Sequence, residues 1–135
     1  MPKNSIDTER TFSATIIASS KELSAYEKVK YKDTRNAIKL DEATHENPLR
    51  IAPKEWVTLN IHNEASQDKD YMNFLVVDSE GKKYVTGSTS FVNSFMDIWN
   101  ELAEMVANGE AFEIEIYQTP SKNYANKSFI TCSLV

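Results

Sequence analysis

Apolar positions along the chain follow two periods, and these divide it into short strands and one long helix. At 112–117, Phe112, Ile114 and Ile116 alternate with Glu113, Glu115 and Tyr117. At 129–135, Ile130, Cys132 and Leu134 alternate with Phe129, Thr131, Ser133 and Val135. A period of two is that of a strand with one buried face. The residues between, 119–127, are rich in Pro, Ser and Asn and carry Lys122, Tyr124 and Lys127, so the sequence predicts a closing hairpin with a basic, aromatic tip. The same alternation sets Val57, Leu59 and Ile61 opposite Trp56, Thr58, Asn60 and His62 in a strand at 55–62. Residues 71–77, YMNFLVV, are apolar on both sides, as a central strand requires. Asp78, Ser79, Glu80 and Gly81 then turn the chain into a returning strand at 82–86.

The period changes after Gly87. Ser88, Thr89 and Ser90 offer side-chain oxygens to cap a helix. Phe91, Phe95, Ile98, Leu102 and Met105, flanked by Val92, Trp99 and Val106, form a broad apolar stripe at helical spacing. Asn108 and Gly109 end it. Towards the N-terminus, residues 1–10 are a polar lead-in, and 11–18, TFSATIIA, sets Phe12, Ala14, Ile16 and Ala18 against Ser13, Thr15 and Ile17 as a further strand. Residues 21–40 fit either period. Lys28, Lys30 and Lys32 would share a strand face, while Leu23, Tyr26 and Lys30 suit a helix. The segment is basic, with Lys21, Lys28, Lys30, Lys32, Arg35 and Lys39 against Glu22, Glu27 and Asp33. Residues 41–53, with Pro48 and Pro53, read as a loop.

From residue 55 the order is strand, strand, strand, helix, strand, strand, which is the connectivity of an OB-fold, a small partly open barrel that binds oligonucleotides. The chain is therefore expected to be mainly β and a single domain, 1–135. Its core at 55–135 would be an OB-like five-stranded barrel with the helix between strands three and four. An N-terminal strand and basic extension would occupy 11–54. A mixed α+β sandwich with one covering helix uses the same elements.

Composition narrows the chemistry. At 135 residues and 41% apolar, the chain can bury a core of its own. Its net charge of −5 argues against coating duplex DNA by bulk attraction while leaving room for a local basic groove. There is no apolar run of membrane-spanning length, and residues 1–10 lack the apolar stretch of a secretory signal. The single cysteine, Cys132, cannot form an internal disulfide, which suits a reducing cytoplasm. His45 and His62 have no Cys or second His at metal-ligand spacing, and three glycines supply no phosphate-binding loop. Glu113, Glu115, Asp41 and Glu42 read as solvated surface charge. No nucleophile is poised, so neither catalytic residues, a metal nor a cofactor is expected.

Binding is the remaining reading. The strand periods place Trp56, Tyr84 and Tyr117 away from the core, with Lys82 and Lys83 beside Tyr84, and Lys122 and Lys127 either side of Tyr124. Single-stranded nucleic acid uses both components, since a base stacked on an aromatic ring gains about 1–3 kcal/mol and lysines neutralise the phosphates between stacks. The plainer alternative is that a lone surface tyrosine is ordinary, and that Trp56 or Tyr117 packs under the N-terminal strand.

The run DSEGKKYVTGSTSFVNSFMDI, the helix after it and FEIEIYQTPSKNYANKSFITCSLV resemble the second half of the small single-stranded DNA-binding proteins carried by phages and mobile elements of Gram-positive bacteria. In those proteins an acidic-Gly hairpin leads into a short strand and a Ser/Thr-Phe helix start. Their closing strands end in a Lys-x-Phe-hydrophobic-Thr run, matched here by Asn126, Lys127, Ser128, Phe129, Ile130 and Thr131. The resemblance spans 71–135. It implies sequence-nonspecific binding of single-stranded DNA in replication or recombination of an invading genome, in the bacterial host cytoplasm. Replication or recombination proteins and a second copy of the chain are the further partners it suggests, with no membrane. Where bacterial single-strand binders carry an acidic, Gly-rich tail, this sequence has Leu134 and Val135, and 11–54 has no counterpart in the pattern. A protein-binding accessory or host-takeover module is the competing expectation.

Overall fold

Alternating side chains make strands only where the chain can pair them, and the computed structural model, which describes residues 12–121 and 127–135, pairs them in two sheets. Among these residues the elements run β1 (Phe12–Ser19), α1 (Ala25–Lys32), β2 (Ile38–Lys39), α2 (Leu40–Ala43), β3 (Leu49–Ile51), β4 (Pro53–Asn63), β5 (Asp70–Asp78), β6 (Lys83–Thr86), α3 (Thr89–Ala107), β7 (Ile114–Pro120) and β8 (Ser128–Leu134). One sheet has the order β1-β4-β5-β6-β2 and the other β3-β7-β8. The protein is mainly β. The expected barrel is not what the ladders build, because β1 occupies the outer edge of β4 and β2 that of β6. With both edges of the β4–β5–β6 meander taken, the β7–β8 hairpin pairs with β3 instead, and among the described residues no ladder joins the two sheets. Residues before 55 are thus woven into both sheets, where the sequence suggested an extension beside a finished core.

The larger sheet is a middle layer with a core on each side. Val57, Leu59, Ile61, Leu75, Val77 and Val85 point to the face covered by α1, where they meet Tyr31 and Leu23. Trp56, Phe74, Val76 and Tyr84 point the other way, towards Phe91, Phe95 and Trp99 of α3 and Ile114, Ile116, Ile130 and Cys132 of the smaller sheet. Period two explains the division, since neighbouring residues of one strand feed opposite cores. The apolar stripe on α3 becomes a ladder of rings, with Phe91–Phe95 centroids 5.7 Å apart and Phe95–Trp99 5.8 Å apart.

Two local signals decide regions that the periods left open. Ser24 accepts from the backbone N–H of Glu27 while the Glu27 carboxylate accepts from that of Ser24, a reciprocal cap that starts α1. The stretch expected to be a loop, 41–53, contains part of α2 and all of β3, whose Leu49 and Ile51 flank an exposed Arg50. Strand β8 has its open side closed by α3. The Ser90 hydroxyl donates to the Ile130 carbonyl at 2.9 Å, and the Cys132 N–H donates to Ser94 Oγ at 3.2 Å.

Candidate nucleic-acid interface

Strand alternation in the smaller sheet leaves one face on which no element packs among the described residues. Ile51, Ile114, Ile116, Ile130 and Cys132 are buried on the inner side. Arg50, Glu115, Tyr117, Thr119, Phe129, Thr131 and Ser133 alternate with them and therefore line the outer side. Register sets Tyr117 opposite Thr131 and Phe129 opposite Thr119, which makes the two residues diagonal neighbours on adjacent strands, with the Tyr117 ring directed to the Ser133 side, away from Phe129. Such positions lie about 7–8 Å apart, so the two rings occupy separate places on one face. Phe129 is 40% exposed, and the partly buried Tyr117 is steadied by a 2.8 Å hydrogen bond between its hydroxyl and Ser133 Oγ. At the β3 margin, Arg50 Nε donates to Glu115 Oε2 at 3.3 Å. At the other end, the Ser121 N–H donates to the Lys127 carbonyl at 2.8 Å and closes the base of the hairpin, with Lys127 exposed. Lys122 and Tyr124 lie outside the described residues.

The remaining residues singled out from the sequence do not gather here. Tyr84 is 4% exposed, and its hydroxyl donates to Asp78 Oδ2 at 2.9 Å. Burial first, and that carboxylate second, push its pKa up to about 12. No face of the ring is open to a base. Trp56 stacks on Phe74 at 5.7 Å against the α3 core, and its indole N–H is buried. Lys83 folds back to donate to the carbonyls of Lys30 at 3.0 Å and Asp33 at 2.5 Å, satisfying the C-terminal end of α1. Lys82 is exposed on the β5–β6 turn beside Glu80 at 3.7 Å. Lys82 departs because it lies on a turn, while Trp56, Tyr84 and Lys83 share another cause. Alternation identifies two faces of a strand, and the larger sheet has both of them covered. Tyr117 therefore lies on the outer face of the smaller sheet with Lys127 at the base of its hairpin, while Trp56, Tyr84, Lys82 and Lys83 lie elsewhere.

Phe129 and Arg50 complete that face. The signal for Phe129 was its phase, opposite to Ile130 and Cys132. For Arg50 it was the Leu-Arg-Ile alternation in a segment too short to read as a strand.

Several charges elsewhere are paired. Lys21 bridges Glu27 at 2.8 Å and Glu55 at 3.3 Å, and Lys21 above all holds the Glu27 carboxyl down to about 2. Arg35 grips Asp33 through Nε at 2.9 Å and a terminal nitrogen at 2.8 Å. Buried Glu55 also accepts from the Tyr31 hydroxyl at 2.7 Å, tying α1 to β4. On the β4–β5 hairpin, His62 sits between Asp70 at 3.0 Å and Glu64 at 2.5 Å. Among the described residues no group of three or more His, Cys, Asp or Glu could hold a metal ion, and no helix is long and apolar enough to cross a membrane. No protein-family model, curated protein or solved structure matches the chain.

Proposed function

We propose that this protein binds single-stranded DNA without sequence preference, laying the strand across the outer face of β3-β7-β8. The observation that carries the reading is the diagonal pair Tyr117 and Phe129 on a solvent-facing sheet, one end of which is a lysine-bearing hairpin. Each ring can stack one unpaired base for about 1–3 kcal/mol, while Lys127 and Arg50 meet phosphates. A duplex hides its bases and offers this face only backbone, which a chain of net charge −5 attracts poorly. The element order from β4 onward supports an OB-like relationship, in which the N-terminal strand and β2 have taken the edges a barrel would use to close. The pattern shared with single-strand binders of phages and mobile elements supports a role in replication or recombination of such a genome. Binding here requires no catalytic group.

Anisotropy of a labelled oligo-dT tests it. The parent is expected to bind at low salt and to prefer oligo-dT over a duplex of equal length. Phe129→Ala and Tyr117→Ala are each expected to weaken binding by about 1–3 kcal/mol, roughly fivefold to more than a hundredfold. Parent-like affinity in both variants would remove the face from consideration. Both Trp56 and Trp99 pack in the α3 core, so a labelled oligonucleotide reports on this face better than tryptophan quenching does.

A further inference from the structure

The longest sheet edge without a paired strand among the described residues is that of β1, eight residues at the margin of the larger sheet, broken by a bulge at Ile17 where the pairing with β4 shifts register. Other margins are short or closed. Strands β2 and β3 have two and three residues, and α3 seals β8 through Ser90 and Ser94. Beside β1 lies a groove of about 380 Å³ between residues 15–19 and the Lys28 and Lys32 side of α1. Lys28 and Lys32 thus stand beside residues 15–19 where α1, which covers that face of the sheet, reaches the β1 margin. Ile17, 60% exposed, and Ile16 give the groove an apolar strip. Neither Lys28 nor Lys32 takes part in the ion pairs of this segment, which consume Lys21 and Arg35.

We infer that this groove is a docking site for an extended, acidic segment of a partner protein, which adds to β1 as a further strand. Unpaired backbone groups of an edge strand supply the affinity of such additions, and flanking side chains select the sequence. Spacing favours acidic residues at alternate positions. Lys28 and Lys32 are about 6 Å apart along the helix, and residues two apart on a strand are about 6.6 Å apart. A second copy of the chain fits poorly. Antiparallel pairing of β1 with itself has its two-fold axis perpendicular to the sheet, which puts both α1 helices on one side and brings four lysines into one cleft. The groove also lies across the larger sheet from Tyr117 and Phe129, on the α1 side, so this inference stands independently of the proposed DNA binding.

The test uses the full chain and short labelled peptides alternating valine with glutamate or valine with lysine. The glutamate peptide is expected to bind at least about tenfold more tightly than the lysine peptide, with K28E/K32E reversing that preference while leaving oligo-dT affinity unchanged. Amide exchange on the parent protein is expected to slow at β1 when the glutamate peptide is added. Equal affinity for the two peptides, or a preference that survives the charge reversal, would overturn the proposal. So would a dimer with β1 amides already protected, which assigns the edge to a second copy. Competition by oligo-dT together with its loss in K28E/K32E would assign the groove to nucleic acid and overturn it as well.

Discussion

Tyr84 and Tyr117 carry the same phenol into opposite situations. Tyr84 is interior and donates to a buried carboxylate that also accepts from the backbone N–H groups of Glu80 and Lys82, so it fastens the β5–β6 turn. Tyr84→Phe should destabilise the fold by about 1–2 kcal/mol in urea unfolding and leave oligo-dT affinity unchanged. A loss of affinity without a loss of stability would place this ring at the ligand. His62 makes a separate, pH-dependent clasp. Its hydrogen bond to Asp70 above all, and that to Glu64, raise its pKa above the ordinary 6.5. A raised folded-state value means that the clasp contributes fully below the unfolded pKa and is lost as pH rises through the folded one. An NMR titration should therefore find the His62 midpoint above 6.5. A midpoint at or below it would show that the carboxylates do not hold the protonated ring.

Elements were legible where their pattern was long and their neighbours local. The stripe from Phe91 to Met105 fixed α3, and alternation fixed the strands at 55–62, 71–77 and 129–135, because each signal depends on one element's own buried face. Helix α1 was obscured by its lysines, which populate both periods, although Ser24 and Glu27 held the cap signal that decides the matter. Ser24→Ala should cost about 1 kcal/mol and lower the unfolding midpoint, with Glu27→Gln costing less. The seal on β8 could not be foreseen, since Ser90 and Ser94 read equally well as ordinary helix-surface serines. Removing the Ser94 hydroxyl strands the Cys132 N–H beside a buried strand, so Ser94→Ala should destabilise by about 1–3 kcal/mol. Hydrogen exchange at that amide should quicken in the same variant, and unchanged exchange would argue that α3 does not close the edge.

At the scale of the whole molecule, layering separates what can meet solvent from what cannot. Which strands pair is a long-range question that alternation leaves unanswered, and here β1 pairs with β4 and β2 with β6, so the described strands form two sheets and no closed barrel. That arrangement buried Tyr84, half-buried Trp56 and left Tyr117 and Phe129 on a sheet face that no described element covers. An overall charge of −5 then confines an anionic polymer to a limited area, so binding should involve few phosphates. The most direct test is the salt dependence of oligo-dT binding in the parent and in Phe129→Ala. A log–log slope near −0.7 for each neutralised phosphate is expected, the same in both proteins, with weaker binding in the variant at every salt concentration. A parent that ignores oligo-dT at low salt, or a variant that matches it throughout, would show that this face does not bind single-stranded DNA.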